Sequence, residues 1–431
     1  MTLKLAGPSG DWRGYLDSLA AFGMRPGLER VEALLSAFDR PQDGFRSIHI
    51  VGTNGKSSTA RYAAAICAAH GLRSAAYLSP HITGYGERLQ VDGRPLAAEA
   101  FGHAVLRVRE AVAALPRELG ETTQFETLTV AALLAMAEAD VAVAAVEAGL
   151  GGRLDATNVL RAPVVVLTNI GLEHTEVLGE TRAAIFAEKA AVIKGGDAVF
   201  GALEGLEPAA ERVCAAAGAR AHVLGRGFDV MGRPSAFGVT TERARYDGFS
   251  VPTDAAYQVT NAALALEAAE LLLGRLDPTR TRQALAATAV PGRLQVVTRH
   301  PLLLADGAHN ADGMRALLAS LGAMEFPRPR VAVIAVMRDK AYTEMLATIA
   351  PEVDVIVCTA ASEPRSLGAD DLAAAAAAAP TAHALRLETE PDAHIAVRRA
   401  QELAGSAGTV VVCGSLYLLE DLADMLAAGA A

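Results

Sequence analysis

A short glycine-containing segment that ends in lysine and serine carries the clearest chemical signal in the sequence. An apolar run, Ile48 to Val51, leads into the letters GTNGKSS before a helical pattern begins. Glycines permit backbone geometry that side chains would block, and consecutive N–H groups at a helix start can cradle a polyphosphate. Lys56 would neutralise the outer phosphates. The residues predicted to bind a nucleotide here are Gly52, Thr53, Asn54, Gly55, Lys56, Ser57 and Ser58.

The match to the usual phosphate-loop pattern is imperfect, because its first glycine would fall at Ile50. The alternative is an ordinary glycine turn between a strand and a helix. A lysine and a hydroxyl residue directly after a strand favour nucleotide binding over that alternative.

Three further segments place metal-binding side chains where predicted strands end. Ser79 follows a short apolar segment, Glu147 closes the run Val143–Glu147, and His174 lies beyond the run Val164–Thr168. A carboxylate at the carboxyl end of a buried strand lies beside the ligand crevice of an open α/β sheet, and magnesium takes such oxygen ligands. Taken alone, Ser79 fits a turn and His174 a surface or capping residue. Together the segments predict an ATP–magnesium site.

Short β-branched runs alternate with longer stretches rich in alanine, leucine and glutamate. This alternation predicts an α/β domain with a largely parallel sheet. The glycine-rich segment from Leu203 to Pro252 interrupts it and predicts a small antiparallel sheet. The predicted strands are Ser47–Val51, Val141–Val146, Val164–Thr168 and Ala198–Phe200, and the predicted helices are Ser58–His70, Phe125–Glu138, Thr181–Ile193 and Tyr257–Leu273.

A second strand–helix series follows Pro291-Gly292, a dipeptide typical of a hinge. It predicts a smaller, Rossmann-like second domain, with domains at 1–294 and 295–431 and the boundary near 294–300. The predicted strands of this series are Leu302–Ala305, Val331–Val336, Asp354–Thr359, His383–Leu387 and Thr409–Cys413.

Composition narrows the class of protein. A net charge of -10 gives no basic footprint for nucleic acid or acidic lipid. The four cysteines lie far apart without metal-like or redox-like spacing, which favours a reducing compartment. The most apolar stretch, Leu128 to Leu150, is interrupted by three carboxylates, and the N-terminus lacks a signal-peptide pattern. We expect a cytoplasmic protein without nucleic-acid or membrane partners.

Taken in order, the motifs resemble the Mur ligase superfamily, and within it the folylpolyglutamate synthase/dihydrofolate synthase branch. The resemblance covers nearly the whole chain. It implies a P-loop ATP-binding domain with a parallel-rich sheet and a smaller C-terminal α/β domain. The motifs are Gly27–Val31, Gly52–Lys56, Ser79-Pro80-His81, Phe125-Glu126, Glu147–Asn158, Glu173-His174-Thr175, Glu188-Lys189-Ala190, Asn261, Pro291-Gly292-Arg293 and Asp306–Asn310.

The resemblance also implies roles for single residues. Ser79, Glu147 and His174 are similar to the family's magnesium ligands, and Lys189 to the lysine that the family carries as a carbamate. Asn261, Arg293 and Asp306 correspond to ATP-contacting positions. Lys56, His174, Lys189, Asp306 and His309 are the catalytic candidates, with Asp306 or His309 as the base. The pterin pocket is expected at Arg25, Pro26, Gly27, Leu28, Thr123, Leu154, Asp155 and Ala156.

Two positions depart from the family pattern, which usually has glycine at 57 and often at 191, where this chain has Ser57 and Ala191. Either Ser57 or Ser58 could therefore supply the hydroxyl to magnesium. Structural alternatives also stand: Asn261 as a helix cap, Lys189 in an ion pair with Glu188, Arg293 as a linker anchor, and Asp306-Gly307 as a strand-ending turn.

The reaction that the resemblance implies is ATP-dependent ligation of L-glutamate to dihydropteroate, to a folate, or to both, through an acyl phosphate. A monomer that binds ATP, glutamate and the pterin substrate is expected. One alternative is a Mur-type ligase for another carboxylate, against which the short segment before the phosphate loop argues. A second is a non-catalytic ATP-binding switch, against which Glu147 and His174 argue.

Overall fold

A computed structural model describes residues 10–19 and 25–428, so the predicted domain limits at residues 1 and 431 lie outside the described residues. Two sheets organise the chain, one of eleven strands and one of six. The first is built from residues before the predicted hinge at Pro291-Gly292 and the second from residues after it.

The eleven-stranded sheet has a parallel centre, ordered β2-β5-β1-β6-β7-β8-β9, with antiparallel strands added at both edges. Its strands are β1 (Arg46–Val51), β2 (Ser74–Tyr77), β3 (Leu89–Val91), β4 (Arg94–Pro95), β5 (Val143–Glu147), β6 (Val164–Leu167), β7 (Gly196–Phe200), β8 (Ala219–Leu224), β9 (Gly227–Arg233), β10 (Ala236–Thr240) and β11 (Arg245–Phe249).

Helices cover both faces of this sheet. Those of the first part of the chain are α1 (Trp12–Leu19), α2 (Glu29–Ala37), α3 (Lys56–Ala69), α4 (Ala98–Ala113), α5 (Gln124–Glu138), α6 (Thr175–Leu178), α7 (Arg182–Ala190), α8 (Glu207–Ala217), α9 (Tyr257–Leu273) and α10 (Pro278–Ala287).

Successive side chains of a strand point to opposite faces of the sheet, so the two faces pack against different helices. Ile48 and Ile50 of β1 pack with α3, α9 and α10 in one core. Ala144 and Val146 of β5 point the other way and pack with α1, α2, α4 and α5 in another. Both central strands are buried on both faces, which explains why they read as near-continuous apolar runs.

The six-stranded sheet is ordered β12-β13-β17-β14-β15-β16 and is parallel except for β12. Its strands are β12 (Gln295–Arg299), β13 (Leu302–Ala305), β14 (Arg330–Ile334), β15 (Val355–Cys358), β16 (Arg386–Thr389) and β17 (Thr409–Cys413), and its helices are α11 (Ala311–Gly322), α12 (Tyr342–Ile349), α13 (Ala369–Ala377), α14 (Ala393–Ala404), α15 (Leu416–Asp421) and α16 (Ala423–Ala428).

The structure confirms the predicted α/β class, and the predicted helix Tyr257–Leu273 has the same bounds as α9. The prediction for Leu203–Pro252 was only partly right. Strands β9 to β11 are antiparallel, but they extend the main sheet instead of forming one of their own, and a helix, α8, precedes them. Strand β12 was not predicted. Among the described residues, no helix combines the length and apolar character needed to cross a membrane.

Candidate active site

A cavity of about 310 Å³ lies where the carboxyl ends of the parallel strands of both sheets meet. Loops that follow β1, β2, β5 and β6 form one wall, and loops that follow β13, β14 and β17 form the opposite wall. Such an edge is where open α/β sheets bind their ligands. The predicted residues that line the cavity are Gly52 to Ser58, Ser79, Glu147, His174, Lys189, Asn261, Arg293, Asp306 and His309.

The phosphate loop is held in shape by the loop after β6. Gly52 and Gly55 have positive φ values of 150° and 87°, which glycine adopts at no steric cost. A Cβ on Gly52 would lie 1.9 Å from the Thr168 hydroxyl, and that hydroxyl donates to the Asn54 carbonyl at 2.6 Å. The Asn54 N–H in turn donates to the Asn169 side chain at 2.9 Å. The open backbone turn is therefore preformed.

Lys56 begins helix α3, and none of the carboxylates at 10–19 or 25–428 is its hydrogen-bond partner. Its Nζ donates to the carbonyls of Gly52 and Thr53, at 3.2 Å and 3.1 Å. A positive charge placed between backbone carbonyls and a cavity is available to neutralise an anionic ligand.

The two serines after Lys56 differ in their surroundings. The Ser57 hydroxyl lies close enough to Glu147 to lower the pKa of that carboxyl. The Ser58 hydroxyl is buried beneath the loop and accepts from Gln258 Nε2 at 3.1 Å, and Gln258 also accepts from Asn261. Ser57 is thus the serine that faces the predicted metal ligands. Asn261 lies inside helix α9 and does not cap it, so the capping alternative was wrong.

Glu147 is a buried carboxylate at the end of β5. Its Oε2 accepts from the Ser79 N–H at 3.0 Å, which ties the two predicted metal ligands together. Burial raises the pKa of Glu147, and the positive charge of Lys56 partly offsets that effect. A bound cation would supply the counter-charge that a buried carboxylate requires.

His174 has a left-handed φ of 51° at the start of α6. Burial lowers its pKa to about 4, and the charge of Lys340 adds to this effect. The imidazole is therefore neutral at pH 7 and has a lone pair for a metal. Among the described residues, no three His, Cys, Asp or Glu side chains are arranged so that they alone could hold a metal ion. A cation here would take further ligands from hydroxyls, water or phosphate, which suits magnesium.

Lys189 lies in the same cavity, buried, and donates from Nζ to the Gly52 carbonyl at 2.9 Å. Glu188 contacts Arg153 instead, so the predicted alternative of a Glu188–Lys189 ion pair was wrong. Burial lowers the pKa of Lys189 to about 7, with Lys56 as a further cause. A large fraction of the amine is then neutral at physiological pH, which is the form that reacts with carbon dioxide.

Asp306 ends strand β13 and organises the hinge. Its Oδ2 accepts from the Tyr257 hydroxyl at 2.5 Å and from the Leu294 N–H at 2.8 Å, and its Oδ1 accepts from the Ala308 N–H at 2.8 Å. Burial raises the pKa of Asp306, and Arg293 opposes that effect. Arg293 also acts electrostatically on Glu147, so it lies between the two walls.

Two contacts join the walls directly. Asn54 and Asn310 exchange a pair of amide hydrogen bonds, each 3.1 Å long. Glu173 contacts His309 Nε2 at 3.2 Å and Lys340 Nζ at 2.8 Å. Burial alone would raise the pKa of Glu173, but the hydrogen bond and charge of His309, together with Lys340, hold its pKa well below the usual range.

The residues predicted for the pterin pocket do not line this cavity. Arg25 Nη1 donates to the Glu121 carbonyl at 3.2 Å, and Thr123 caps helix α5. Asp155 accepts from the Leu150 N–H and from Thr157, which folds the loop beside the cavity. Arg25 to Leu28 are thus brought near Thr123, Ala156 packs in the same core as helix α5, and Leu154 is half exposed. Their substrate role stays a prediction.

Several cavity residues had no predicted role: Glu173, Tyr257, Lys340, Arg365 and Tyr417. Lys340 could have been found from its place, because it follows a predicted strand in the same way as Glu147 and His174 do. Tyr257 gives no such signal, since it reads only as the first residue of a helix.

Comparisons with known proteins agree with this geometry. Residues 50–199 match the Mur ligase middle domain, and residues 292–416 match the Mur ligase glutamate ligase domain. The chain is 31% identical to the dihydrofolate synthase/folylpolyglutamate synthase of Bacillus subtilis, over 96% of this chain and 98% of the relative.

Solved structures extend the agreement to three dimensions. Mycobacterium tuberculosis folylpolyglutamate synthase complexed with ADP and AMPPCP has a TM-score of 0.89 and 31% identity, covering 96% of this chain and 98% of that one. A bifunctional folylpolyglutamate synthase/dihydrofolate synthase with Mn, AMPPNP and L-glutamate bound has a TM-score of 0.87 and 30% identity, covering 97% and 98%. The chain belongs to the dihydrofolate synthase/folylpolyglutamate synthase family of the Mur ligases.

Proposed function

We propose that the protein is an ATP-dependent ligase that joins L-glutamate to dihydropteroate, to a folate that already carries glutamate, or to both. ADP and phosphate are the other products. The observation that carries the proposal is one cavity that brings together three groups: Lys56, whose Nζ donates to backbone carbonyls, the buried carboxylate Glu147, and His309 of the opposite wall.

The chemistry requires a carboxylate to become an electrophile. Transfer of the γ-phosphoryl group of ATP to the pterin substrate's carboxylate gives an acyl phosphate, and attack by the glutamate amine then expels phosphate. Phosphoryl transfer depends mainly on positioning and charge neutralisation. Lys56 and Arg293 supply positive charge at the phosphates, and Asn261 contacts the nucleotide.

Magnesium, when bound, would neutralise phosphate charge and orient the transferred group. Ser79, Glu147 and His174 would hold it, with Ser57 as the nearest hydroxyl from the phosphate loop. The relative solved with Mn and AMPPNP supports a divalent cation beside the nucleotide. Lys189 as a carbamate would add a negative group to this cluster, which its pKa of about 7 favours.

The glutamate amine must lose a proton before it attacks. Asp306 and His309 are the proposed bases. Both have other contacts, because Asp306 accepts three hydrogen bonds and His309 lies between the Gly307 carbonyl and Glu173. Solvent remains a third route for the proton.

The remaining parts of the proposal concern the pterin pocket and the state of the protein. Residues 25–28, Thr123 and 154–156 form the pocket, and the ATP-binding and glutamate-ligase domains meet at 294/295. The protein is a cytoplasmic monomer without nucleic-acid or membrane partners, and the matches to the pterin pocket favour the presence of both synthase activities.

Product masses test the proposal. Purified protein is incubated with ATP, labelled glutamate, and either dihydropteroate or tetrahydrofolate. We expect one glutamate added to dihydropteroate, further glutamates added to the folate, and ADP formed only when both other substrates are present. ADP without a glutamylated product, or no ADP at all, would favour the Mur-type or the non-catalytic alternative.

A further inference from the structure

The geometry points to Glu173 as a positioning residue for this reaction, one that holds the Lys340 ammonium and the His309 imidazole of the second wall over the cavity. This inference rests on the proposed function. Glu173 follows β6 in the first wall, and its partners His309 and Lys340 follow β13 and β14 in the second.

The contacts form a compact charged group that we call the clasp, made of Glu173, His309 and Lys340. One oxygen, Glu173 Oε1, lies 2.8 Å from Lys340 Nζ and 3.2 Å from His309 Nε2. The side chains of Glu173 and Lys340 are only 10% and 12% exposed. The other His309 nitrogen, Nδ1, lies 2.7 Å from the Gly307 carbonyl, so the ring is fixed at both ends. Ion pairs shielded from water in this way are worth more than surface pairs.

A second contact fixes the same two walls at another point. The amide pair between Asn54 and Asn310 joins the phosphate loop to the start of helix α11, where the Asn310 side chain also caps the Gly313 N–H. This pair is neutral, whereas the clasp is charged. We therefore expect the clasp to contribute more to the alignment of the walls.

Removal of the Glu173 charge would leave the half-buried Lys340 ammonium without its carboxylate partner. Lys340 Nζ also lies 3.4 Å from His174 Nε2, so Glu173 decides where the Lys340 ammonium sits relative to the predicted metal ligand. Without the carboxylate, Lys340 and His309 lose their common partner. The second wall is then no longer held in its position relative to the nucleotide. Misplacement of about 1 Å is enough to slow a reaction between positioned groups.

Steady-state kinetics of the full chain provide the first test. Glu173→Gln should lower kcat about 10- to 100-fold, as expected for the loss of a buried charged partner, while KM for ATP stays within about threefold. Glu173→Asp should recover part of kcat. Lys340→Met combined with Glu173→Gln should be no worse than the poorer single variant, because both remove one interaction. Glu176→Gln, an exposed acid on α6, is the matched control and should leave kcat unchanged.

A distance measurement tests the alignment apart from activity. All four native cysteines are buried, so spin labels can be directed to the exposed positions Arg212→Cys on α8 and Arg398→Cys on α14. With an ATP analogue bound, Glu173→Gln should broaden the distance distribution between the labels relative to the parent protein. An unchanged distribution with kcat within threefold of the parent would overturn the inference.

Two further outcomes are distinguishable. If Glu173→Gln mainly raises the magnesium concentration needed for half-maximal activity, Glu173 acts through His174 and the clasp is not the cause. If the parent protein forms no glutamylated product, the proposed function fails, and the distance comparison still decides whether Glu173 aligns the two walls.

Discussion

Helix α9 runs past two groups of buried charged side chains, one in the cavity and one distant from it. The two groups differ in how far their charges are balanced by other side chains. Near its start the helix carries Asn261, which lines the cavity, and near its end it carries Glu267, which contacts His222. The parallel sheet beneath the helix also contributes to both groups. The difference lies in whether each charge has a counter-charge from the chain itself.

In the distant group, the charges compensate one another. His222 lies between two carboxylates, with Nε2 3.0 Å from Asp197 and Nδ1 3.3 Å from Glu267. Arg220 contacts Asp197 through two nitrogens, at 2.9 Å and 3.0 Å. The nearby carboxylates of Glu267 and Asp197 raise the pKa of His222 against the opposing effect of burial. Such an arrangement stabilises the fold and leaves no place for a ligand charge.

In the cavity, Lys56 and Lys189 contact backbone carbonyls, and each lies in the field of the other. Their charge is balanced only in part by Glu147. Like-charged groups kept together in a buried site raise the free energy of the unliganded protein. The comparison teaches that uncompensated charge indicates where a ligand binds, and compensated charge indicates structure.

Substitution of Lys56 should give the largest effect. We expect Lys56→Ala to lower substrate-dependent ADP formation by at least about 100-fold, because a preorganised charge at the phosphates is lost. Its thermal midpoint should stay within a few degrees of the parent's, since Lys56 holds only carbonyl contacts. ADP release and thermal unfolding are measured together, with the exposed Arg299→Ala as control. Substrate-dependent turnover by Lys56→Ala would refute the phosphate-loop assignment.

In the distant group, a substitution is expected to lower stability and to leave activity unchanged. His222→Leu should lower the free energy of unfolding by about 3 kcal/mol, because two buried carboxylates lose their shared partner, while activity per folded molecule stays unchanged. Urea unfolding followed by circular dichroism measures the loss. Arg220→Ala, which removes an exposed partner of Asp197, should lower the free energy of unfolding much less, because solvent screens exposed ion pairs. Equal losses for the two variants would contradict the comparison.

A smaller effect separates the two loop serines. Ser57→Ala should raise the magnesium concentration for half-maximal activity about tenfold, a typical change for lost support of a metal ligand, because the Ser57 hydroxyl lies beside Glu147 and lowers its pKa. Ser58→Ala should change it less than about threefold, since Ser58 contacts Gln258 beneath the loop. Magnesium titrations of both variants measure these two changes. A larger change for Ser58→Ala than for Ser57→Ala would show that Ser58 supplies the hydroxyl to magnesium.

The smallest effect is the pH dependence of the His222 contribution. The pKa of His222 is raised in the folded chain, so its stabilisation is complete below the usual histidine value near 6.5 and is lost as pH rises through the folded value. Glu267, whose pKa is raised by burial, changes stability in the same direction. Asp197, Arg220, Glu242 and Glu270 are the other charged groups nearby.

Parallel unfolding series for the parent and His222→Leu measure this dependence. The difference in unfolding free energy between the two proteins should shrink from pH 6 to pH 9. A difference that grows over that range would show that His222 is stabilising in its neutral form.

Short-range patterns were enough for many features of this protein. The phosphate loop, the carboxylate that ends β5 and the whole of α9 were predicted because each depends on a few neighbouring residues or on one periodicity. Strand β12 was missed because it lies at the sheet edge, and its half-exposed residues give no clear alternation.

By itself, the sequence determined which side chains stand at strand ends, and hence that a phosphate-binding edge exists. Tertiary structure alone decided which of those ends meet. Glu173 and Lys340 are 167 positions apart, and their ion pair depends on how two sheets approach each other. The same holds for Ser57 and Ser58, which only the packing of α9 against the loop distinguishes. Contacts between distant segments are fixed by the packing of whole layers, and no local pattern encodes them.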